Sequence, residues 1–178
     1  MDITGSFNHS ATIHGVLMDI WGTGVLLTGE SGVGKSDCAL ELLSRGHKLV
    51  ADDVIEVERT DDKLYGRSPK RFSGLLEVRG LGIVDIRDLY NDGFEPRSGI
   101  DLCIRFQDRT DYELSIDRDT GAAEILGIEV PKFTLPVSRG RNAPLLVETV
   151  VRLAKSSELT AEIALAEAHD ALVANRTH

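Results

Sequence analysis

Cysteine is nearly absent from this 178-residue chain, which has two, and proline at five residues and aromatics at 5% are sparse as well. Two thiols permit one bridge at most, which excludes a small disulfide-stapled scaffold. Cys38 falls in a predicted helix and Cys103 in a predicted strand, so both are expected to be reduced, packed thiols. No apolar run approaches the roughly 20 residues that cross a bilayer, and Val25 to Leu27 is typical of the runs present. No charged-then-apolar leader opens the chain, and the expected location is the cytoplasm, away from membrane. Positive charge is short too: 20 Lys plus Arg against 29 Asp plus Glu leave −9, which argues against broad binding to nucleic acid or anionic lipid. Low-complexity tracts and internal repeats are missing, and 42% apolar with 28% charged residues is the composition of an ordinary folded domain. At roughly 100 to 200 residues per domain, residues 1–178 are expected to form one.

What is present is ordered by its turns. Residues 11 to 20 are β-rich, Trp21-Gly22-Thr23-Gly24 supplies turn chemistry, and Val25-Leu26-Leu27-Thr28 is a short apolar strand. From Ser36 to Arg45, Ala39, Leu40, Leu42 and Leu43 make a helical face that Gly46 stops. A buried-type strand from Lys48 to Ala51 is predicted to end at Asp52-Asp53, with Val54, Ile55 and Val57 leading into another extended segment. Further strands are expected on Leu75 to Val78, on Leu102 to Phe106, around Leu114 and Ile116, on Ile125 to Val130 and on Phe133 to Val137, those after residue 100 of an antiparallel kind. Asn142 is placed to cap a helix that tolerates Pro144 in its first turn, and a second helix is expected from about Leu159 to Ala174.

One motif carries chemistry by itself. Gly29-Glu30-Ser31-Gly32-Val33-Gly34-Lys35-Ser36 fits the P-loop pattern, with an apolar strand before it and a helix after. Glycines let successive backbone N–H groups face inward, and the helix N-terminus adds partial positive charge. Lys35 is then expected to reach the β- and γ-phosphates of a nucleotide and to sit in a solvent-filled loop without one. The Ser36 hydroxyl is expected on Mg²⁺.

Asp52-Asp53 follows only 18 residues after Lys35. Two adjacent carboxylates at a strand tip are expected to point to opposite sides, one toward the metal-phosphate cluster and the other toward an acceptor group or a neighbouring side chain. A solvated turn is the ordinary reading of such a pair, but a strand end beside a P-loop is where an α/β sheet places its site. His14 and Glu77 read individually as ordinary strand residues. Arg79, Arg118, Arg139 and Arg141 read as surface charges, although phosphoryl transfer needs cations around the moving group.

Taken in order, Ile13-His14-Gly15-Val16-Leu17, the P-loop, Arg45-Gly46-His47, Leu49-Val50-Ala51-Asp52-Asp53, Leu76-Glu77-Val78-Arg79-Gly80-Leu81-Gly82-Ile83, Asp117-Arg118 and Pro136-Val137-Ser138-Arg139-Gly140-Arg141-Asn142 resemble the catalytic domain of the HPr kinase/phosphorylase family. The likeness covers roughly residues 11 to 155, and the Glu-Val-Arg-Gly-Leu-Gly-Ile segment is far more specific than the P-loop. The early Asp-Asp also resembles phosphoenolpyruvate carboxykinase.

The resemblance implies an α/β fold: a carboxykinase-like P-loop kinase core of mixed β-sheet with flanking helices and C-terminal helices. It implies ATP-dependent phosphorylation of a regulatory serine on the phosphocarrier HPr, or an HPr-like protein, and attack of inorganic phosphate on that phosphoserine to release pyrophosphate. Carried over, residues 29 to 36 bind ATP, Lys35 holds the phosphates, Ser36 and Glu77 bind Mg²⁺, and Asp53 is the base. His14 and Arg118 complete the active site. Residues 76 to 85 serve both reactions, and Pro136 to Arg141 chiefly the dephosphorylation. A homo-hexamer without nucleic acid or membrane partners is implied. Against the family pattern, an N-terminal domain is absent and the chain from about Ser156 onward departs from the usual tail.

Two rival readings use the same P-loop. A small-molecule or carboxykinase-like kinase would need a pocket of fixed charges for its acceptor, which Arg67, Lys70 and Arg71 could supply. A nucleotide-binding regulatory module would bind without turnover and would need neither an early Asp base nor a dedicated Mg²⁺ glutamate.

Overall fold

Trp21 and Gly22 both take positive φ, 52° and 78°, the backbone hand that matches the twist of a two-residue hairpin. Asp19 Oδ1 accepts from Gly22 N at 2.8 Å and fixes the turn. It joins β1 (Ser10–Ile20) to β2 (Thr23–Gly29), which pair antiparallel as the sequence predicts. The structure is a computed structural model that describes residues 9–108, 121–137 and 142–156. The elements that follow are α1 (Lys35–Ser44), β3 (Lys48–Thr60), β4 (Lys63–Arg67), β5 (Leu75–Val78), β6 (Gly82–Asp85), α2 (Ile86–Leu89), β7 (Ser98–Gly99), β8 (Leu102–Asp108), β9 (Ala122–Ile125), β10 (Ile128–Val137) and α3 (Ala143–Lys155).

Eight strands form one mixed sheet in the order β7-β4-β3-β1-β2-β8-β10-β9, and β5 and β6 form a separate hairpin. Expectation and structure part at β8, which runs parallel to both β2 and β10 rather than antiparallel. Its Leu102, Ile104 and Phe106 pack in one apolar cluster and its Cys103 in another. Burial on both faces is the signature of a parallel strand. The expected strand over Ile125 to Val130 is interrupted at its second residue. Leu126 and Gly127 take positive φ, 50° and 75°, and turn the chain from β9 into β10. The expected strands at Leu114–Ile116 and the helix at 159–174 lie outside the described residues.

The two clusters sit on opposite faces of the sheet. In the first, Val16, Met18, Leu27 and Leu49 meet Ala39, Leu42 and Leu43 of α1, Ile86 of α2 and Val147, Val150 and Val151 of α3. The second contains no helical residue: Leu17, Leu26, Ile55, Val57 and Leu64 are enclosed as the sheet curls, and Arg59 Nη1 donates across the gap to Leu126 O at 3.0 Å. Helices of the described residues therefore flank one face, and they frame the end of that face where the P-loop opens. Asn142 caps α3 as expected, its Oδ1 accepting from Leu145 N at 3.0 Å, with Pro144 in the first turn. Both cysteines are free and buried, and burial pushes the Cys38 thiol up to about 12. Among the described residues no helix is long and apolar enough to cross a membrane.

Candidate active site

β2 delivers the P-loop at a point where only glycine fits. At Gly29 φ is 135°, and a Cβ would stand 2.5 Å from Phe106 O on the neighbouring β8. At the far end Gly34 is the N-cap of α1, with φ 104° and no side-chain cap, so the first N–H groups of the helix keep their donors for an anion. The expectation that Lys35 sits in a solvent-filled loop is not met, since the residue is buried. Its side chain folds back, and Nζ donates to Gly29 O and Glu30 O, both at 2.9 Å. Burial holds this ammonium below the ordinary lysine value, while Asp52 and Asp53 pull the other way.

The two aspartates correct a second expectation. They lie inside the 13-residue β3 rather than at its tip, and both line one cavity of about 240 Å³ with Lys35, Ser36, His14 and Glu77. Regular alternation would send them to opposite faces, but Asp53 has φ 66°, and this left-handed residue breaks the alternation. Their environments differ. Asp52 is held at both oxygens, Oδ1 accepting from Ser36 Oγ at 3.2 Å and Oδ2 from Glu77 N at 3.0 Å. Burial nevertheless pushes its carboxyl above the usual range, and those hydrogen bonds oppose the shift. Asp53 is exposed, and its Oδ1 lies 3.0 Å from His14 Nδ1. One carboxylate is thus built in and the other is free to meet an incoming group.

Glu77 reaches the cavity from the β5–β6 hairpin. Arg79, a surface charge on its own residues but within the 76–85 segment to which the resemblance gives a role in both reactions, lines the same cavity with its Nη2 3.4 Å from Gly32 O. The signal that could have found it is its place in the Glu-Val-Arg-Gly-Leu-Gly-Ile segment, the most specific part of the family resemblance. Ser31, Gly32 and Gly34 line the cavity, and so does Asp37, which was not anticipated. Gly29 and Glu30 serve through the carbonyls that hold Lys35, and Val33 packs against the first apolar cluster. Arg118, Arg139 and Arg141 lie outside the described residues. Arg67, Lys70 and Arg71 do not line this cavity. Arg67 pairs with Glu56 at 3.0 Å and lines a separate cavity with Tyr65 and Arg97, while Arg71 stacks on Phe72, so the three cations expected of the small-molecule reading do not converge on one acceptor pocket.

The cavity sets Asp37, Asp52, Asp53 and Glu77 against Lys35 and Arg79. Among the described residues no three His, Cys, Asp or Glu side chains form a metal cage. That donor set suits Mg²⁺, which keeps most of its water and takes one or two protein oxygens beside those of a phosphate chain.

A strand, a glycine-rich turn and an uncapped helix N-terminus, with paired carboxylates on the adjoining sheet, define a P-loop phosphate-binding α/β domain. The chain belongs to the HPr serine kinase C-terminal domain family, whose model matches residues 5–168. It is 48% identical over 141 residues to the HPr kinase/phosphorylase of Clostridium beijerinckii, covering 76% of this chain and 46% of that protein. It is 47% identical over 141 residues to that of Thermoanaerobacter sp. strain X514, covering 77% and 46%. The chain therefore spans about half the length of these curated relatives. A solved HPr(Ser) kinase/phosphatase from Coxiella burnetii superposes with a TM-score of 0.75 at 36% identity, covering 89% of this chain and 97% of that one.

Proposed function

We propose that the chain is a bifunctional ATP-dependent kinase and phosphate-dependent phosphorylase acting on a regulatory serine of HPr or an HPr-like protein. The observation that carries this reading is the shared cavity: the exposed Asp53–His14 pair opens onto the same space as Lys35 and Ser36. In the kinase direction Asp53 takes the proton of the serine hydroxyl as its oxygen bonds to the γ-phosphorus, and the bond to ADP breaks. In the other direction an oxygen of inorganic phosphate attacks the phosphoserine phosphorus, pyrophosphate forms, and Asp53 returns the proton to the departing serine oxygen. One carboxylate serves both reactions, since each moves the same serine proton, off the hydroxyl in one and back onto the departing oxygen in the other. His14 holds Asp53 in place, Lys35 and the α1 N-terminus bind the donor phosphates, and Arg118 with Arg141 supplies further positive charge. Exposed Leu81 and Ile83 on the β5–β6 hairpin, with Ile83 directly across from Glu77, favour a protein acceptor over a metabolite. The assembly implied by the family resemblance is a homo-hexamer in the cytoplasm.

Ser36, Asp52 and Glu77 offer the oxygen donors for Mg²⁺, which would neutralise charge on the phosphates when bound. Glu77→Gln keeps the shape but loses the charge a hard cation prefers. It is expected to raise the Mg²⁺ concentration for half-maximal rate by about tenfold and to depress turnover while nucleotide still binds. A magnesium titration superimposable on wild type would make Glu77 a plain strand carboxylate.

The whole reading is tested by incubating the chain with HPr, Mg-ATP and then phosphate, followed by intact mass. A gain and then a loss of one phosphoryl group on HPr is expected. Nucleotide binding without any mass change would favour the regulatory-module reading. Within the proposal, phosphorolysis alone must bind free inorganic phosphate. Arg141→Ala is therefore expected to slow phosphorolysis by roughly 10² to 10³, the cost of one contact to an oxyanion, and ATP-driven phosphorylation much less. Equal losses in both directions would remove the distinction.

A further inference from the structure

The sheet face that carries the helices runs on past the active site. In the first half of β1, Ser10, Thr12 and His14 are exposed at alternate positions, while Ala11 and Ile13 between them are half-buried. Alternation puts the three on the face of Val16, which packs in the helix-covered cluster. Register carries this polar face across two more strands. Thr12 stands opposite Glu56 and Glu56 opposite Arg67, and in the next row Ser10 stands opposite Glu58 and Glu58 opposite Tyr65. Arg97 lies over the Tyr65 ring, its Cζ 3.9 Å from the centroid, and completes a cavity of about 550 Å³. No helix of the described residues lines it.

This ledge begins where the catalytic cavity stops. Thr12 is two residues from His14, about 7 Å along the strand, and Ser10 about 14 Å. On β3 the order is Asp52, whose Oδ2 accepts from Glu77 N of the β5–β6 hairpin at 3.0 Å, then Asp53, then Glu56 and Glu58 of the ledge. Asp53 therefore stands between the hairpin, with its exposed Leu81 and Ile83, and the ledge. The ledge charges are loosely committed to one another. Arg67 Nε lies 3.0 Å from Glu56 Oε2 and Arg97 Nη2 3.8 Å from Glu58 Oε2, with all four side chains between 44% and 62% exposed. Exposed pairs of this kind add little to stability, and each can exchange its partner for an incoming group.

We propose that this ledge is a docking surface for the protein acceptor and takes the polar surface that flanks its serine. Arg67 and Arg97 donate to carboxylate and carbonyl oxygens of the acceptor, and Glu56 and Glu58 accept from its N–H groups. Charges of both signs side by side suit a hydrophilic protein surface rather than a ligand of one charge. A metabolite filling the catalytic cavity of about 240 Å³ would not extend over a ledge of this size. The inference rests on the protein-acceptor reading above and adds to it a polar contact on the side of Asp53 away from Leu81 and Ile83. Arg67, Arg97, Glu56 and Glu58 do not line the catalytic cavity. The ledge therefore sets affinity for the acceptor in both reactions and leaves the chemical step alone.

Three variants test the idea. Arg67→Glu sets a like charge beside Glu56 and removes a donor. Glu56→Arg combined with Arg67→Glu rebuilds the cross-strand pair with its ends exchanged. Arg97→Ala strips the guanidinium from Tyr65. In each, the KM for HPr in phosphorylation and for phosphoserine-HPr in phosphorolysis is expected to rise at least about tenfold, with kcat and nucleotide affinity within about threefold of wild type. The exchanged pair separates recognition from stapling of β3 to β4, because a staple is restored by the exchange and a docking contact is not. A wild-type KM for HPr in the double variant would overturn the proposal. Should Arg67→Glu lower the melting temperature, Arg97→Ala, which lies outside the strands, decides by the same measurement. A changed oligomeric mass with an unchanged KM for HPr would assign the ledge to a second copy of the chain and overturn the proposal. Wild type that binds nucleotide but transfers nothing to HPr would overturn the protein-acceptor reading, and this inference with it. Wild type active on HPr, with all three variants at its KM, would overturn this inference alone.

Discussion

Asp53→Asn is expected to cost roughly 10³ to 10⁴ in turnover in both the kinase and the phosphorolysis direction, toward the upper part of the range for loss of a general base. Asparagine keeps the size of the side chain and can still accept from His14 Nδ1, so the geometry around the pair, 3.0 Å apart in the wild-type chain, should survive. What goes is the ability to take up a proton. A large loss is expected in both reactions, because the same group accepts the serine proton in one and returns it in the other. Nucleotide affinity should change little, since the P-loop contacts come from Lys35, Ser36 and the α1 backbone. Asp52 is a poor substitute base: Ser36 Oγ and Glu77 N already occupy both of its oxygens. Initial rates in each direction on one preparation, with nucleotide binding measured alongside, check this. Kinase turnover within tenfold of wild type would mean that proton removal does not pass through Asp53.

What the sequence made legible was local. The hairpin at Trp21-Gly22, the stop at Gly46 and the Asn142 cap depend on residues a few positions apart, and each forms as read. The P-loop is local too, with its strand, its glycines and its helix contiguous in the chain. That Asp52-Asp53 would lie beside that loop was legible, but its geometry was not. Nothing in Ala-Asp-Asp-Val announces that Asp53 takes φ 66° and that the strand runs on past it to Thr60. The contact of Arg79 with Gly32 was not legible, because it is made by a hairpin folding back over a loop 47 residues earlier. The direction of β8 was missed for the same kind of reason. Alternation along Leu102, Ile104 and Phe106 reports one buried face, and only the presence of Cys103 and its surroundings on the other face marks the strand as doubly covered. The resting place of Lys35 depends on carbonyl directions inside the loop, which no residue pattern encodes.

That resting place bears on the other large expected effect. Lys35→Ala should abolish both reactions to within a residual rate, a loss of roughly 10³ to 10⁵, comparable to removing a cation from a transferring phosphoryl group. The fold should remain. Alanine is a strong helix former at the first position of α1, and Gly29 O and Glu30 O, which lose the ammonium at 2.9 Å, belong to a loop where water can replace it. The charge itself adds little to folding, because burial holds it below the ordinary lysine value in the folded chain. Between that depressed value and the ordinary one the unfolded chain binds more protons than the folded chain. Wild type therefore gains stability as pH rises through the window, and the alanine variant does not share the gain. Melting temperatures of the two should be close at neutral pH and separate in favour of wild type under alkaline conditions. To reach nucleotide, the ammonium must exchange two loop carbonyls for phosphate oxygens, a trade of neutral acceptors for anionic ones that strengthens each hydrogen bond. The variant should thus lose nucleotide affinity as well as turnover, unlike Asp53→Asn. Kinase activity within tenfold of wild type would remove Lys35, and with it the P-loop, from the site.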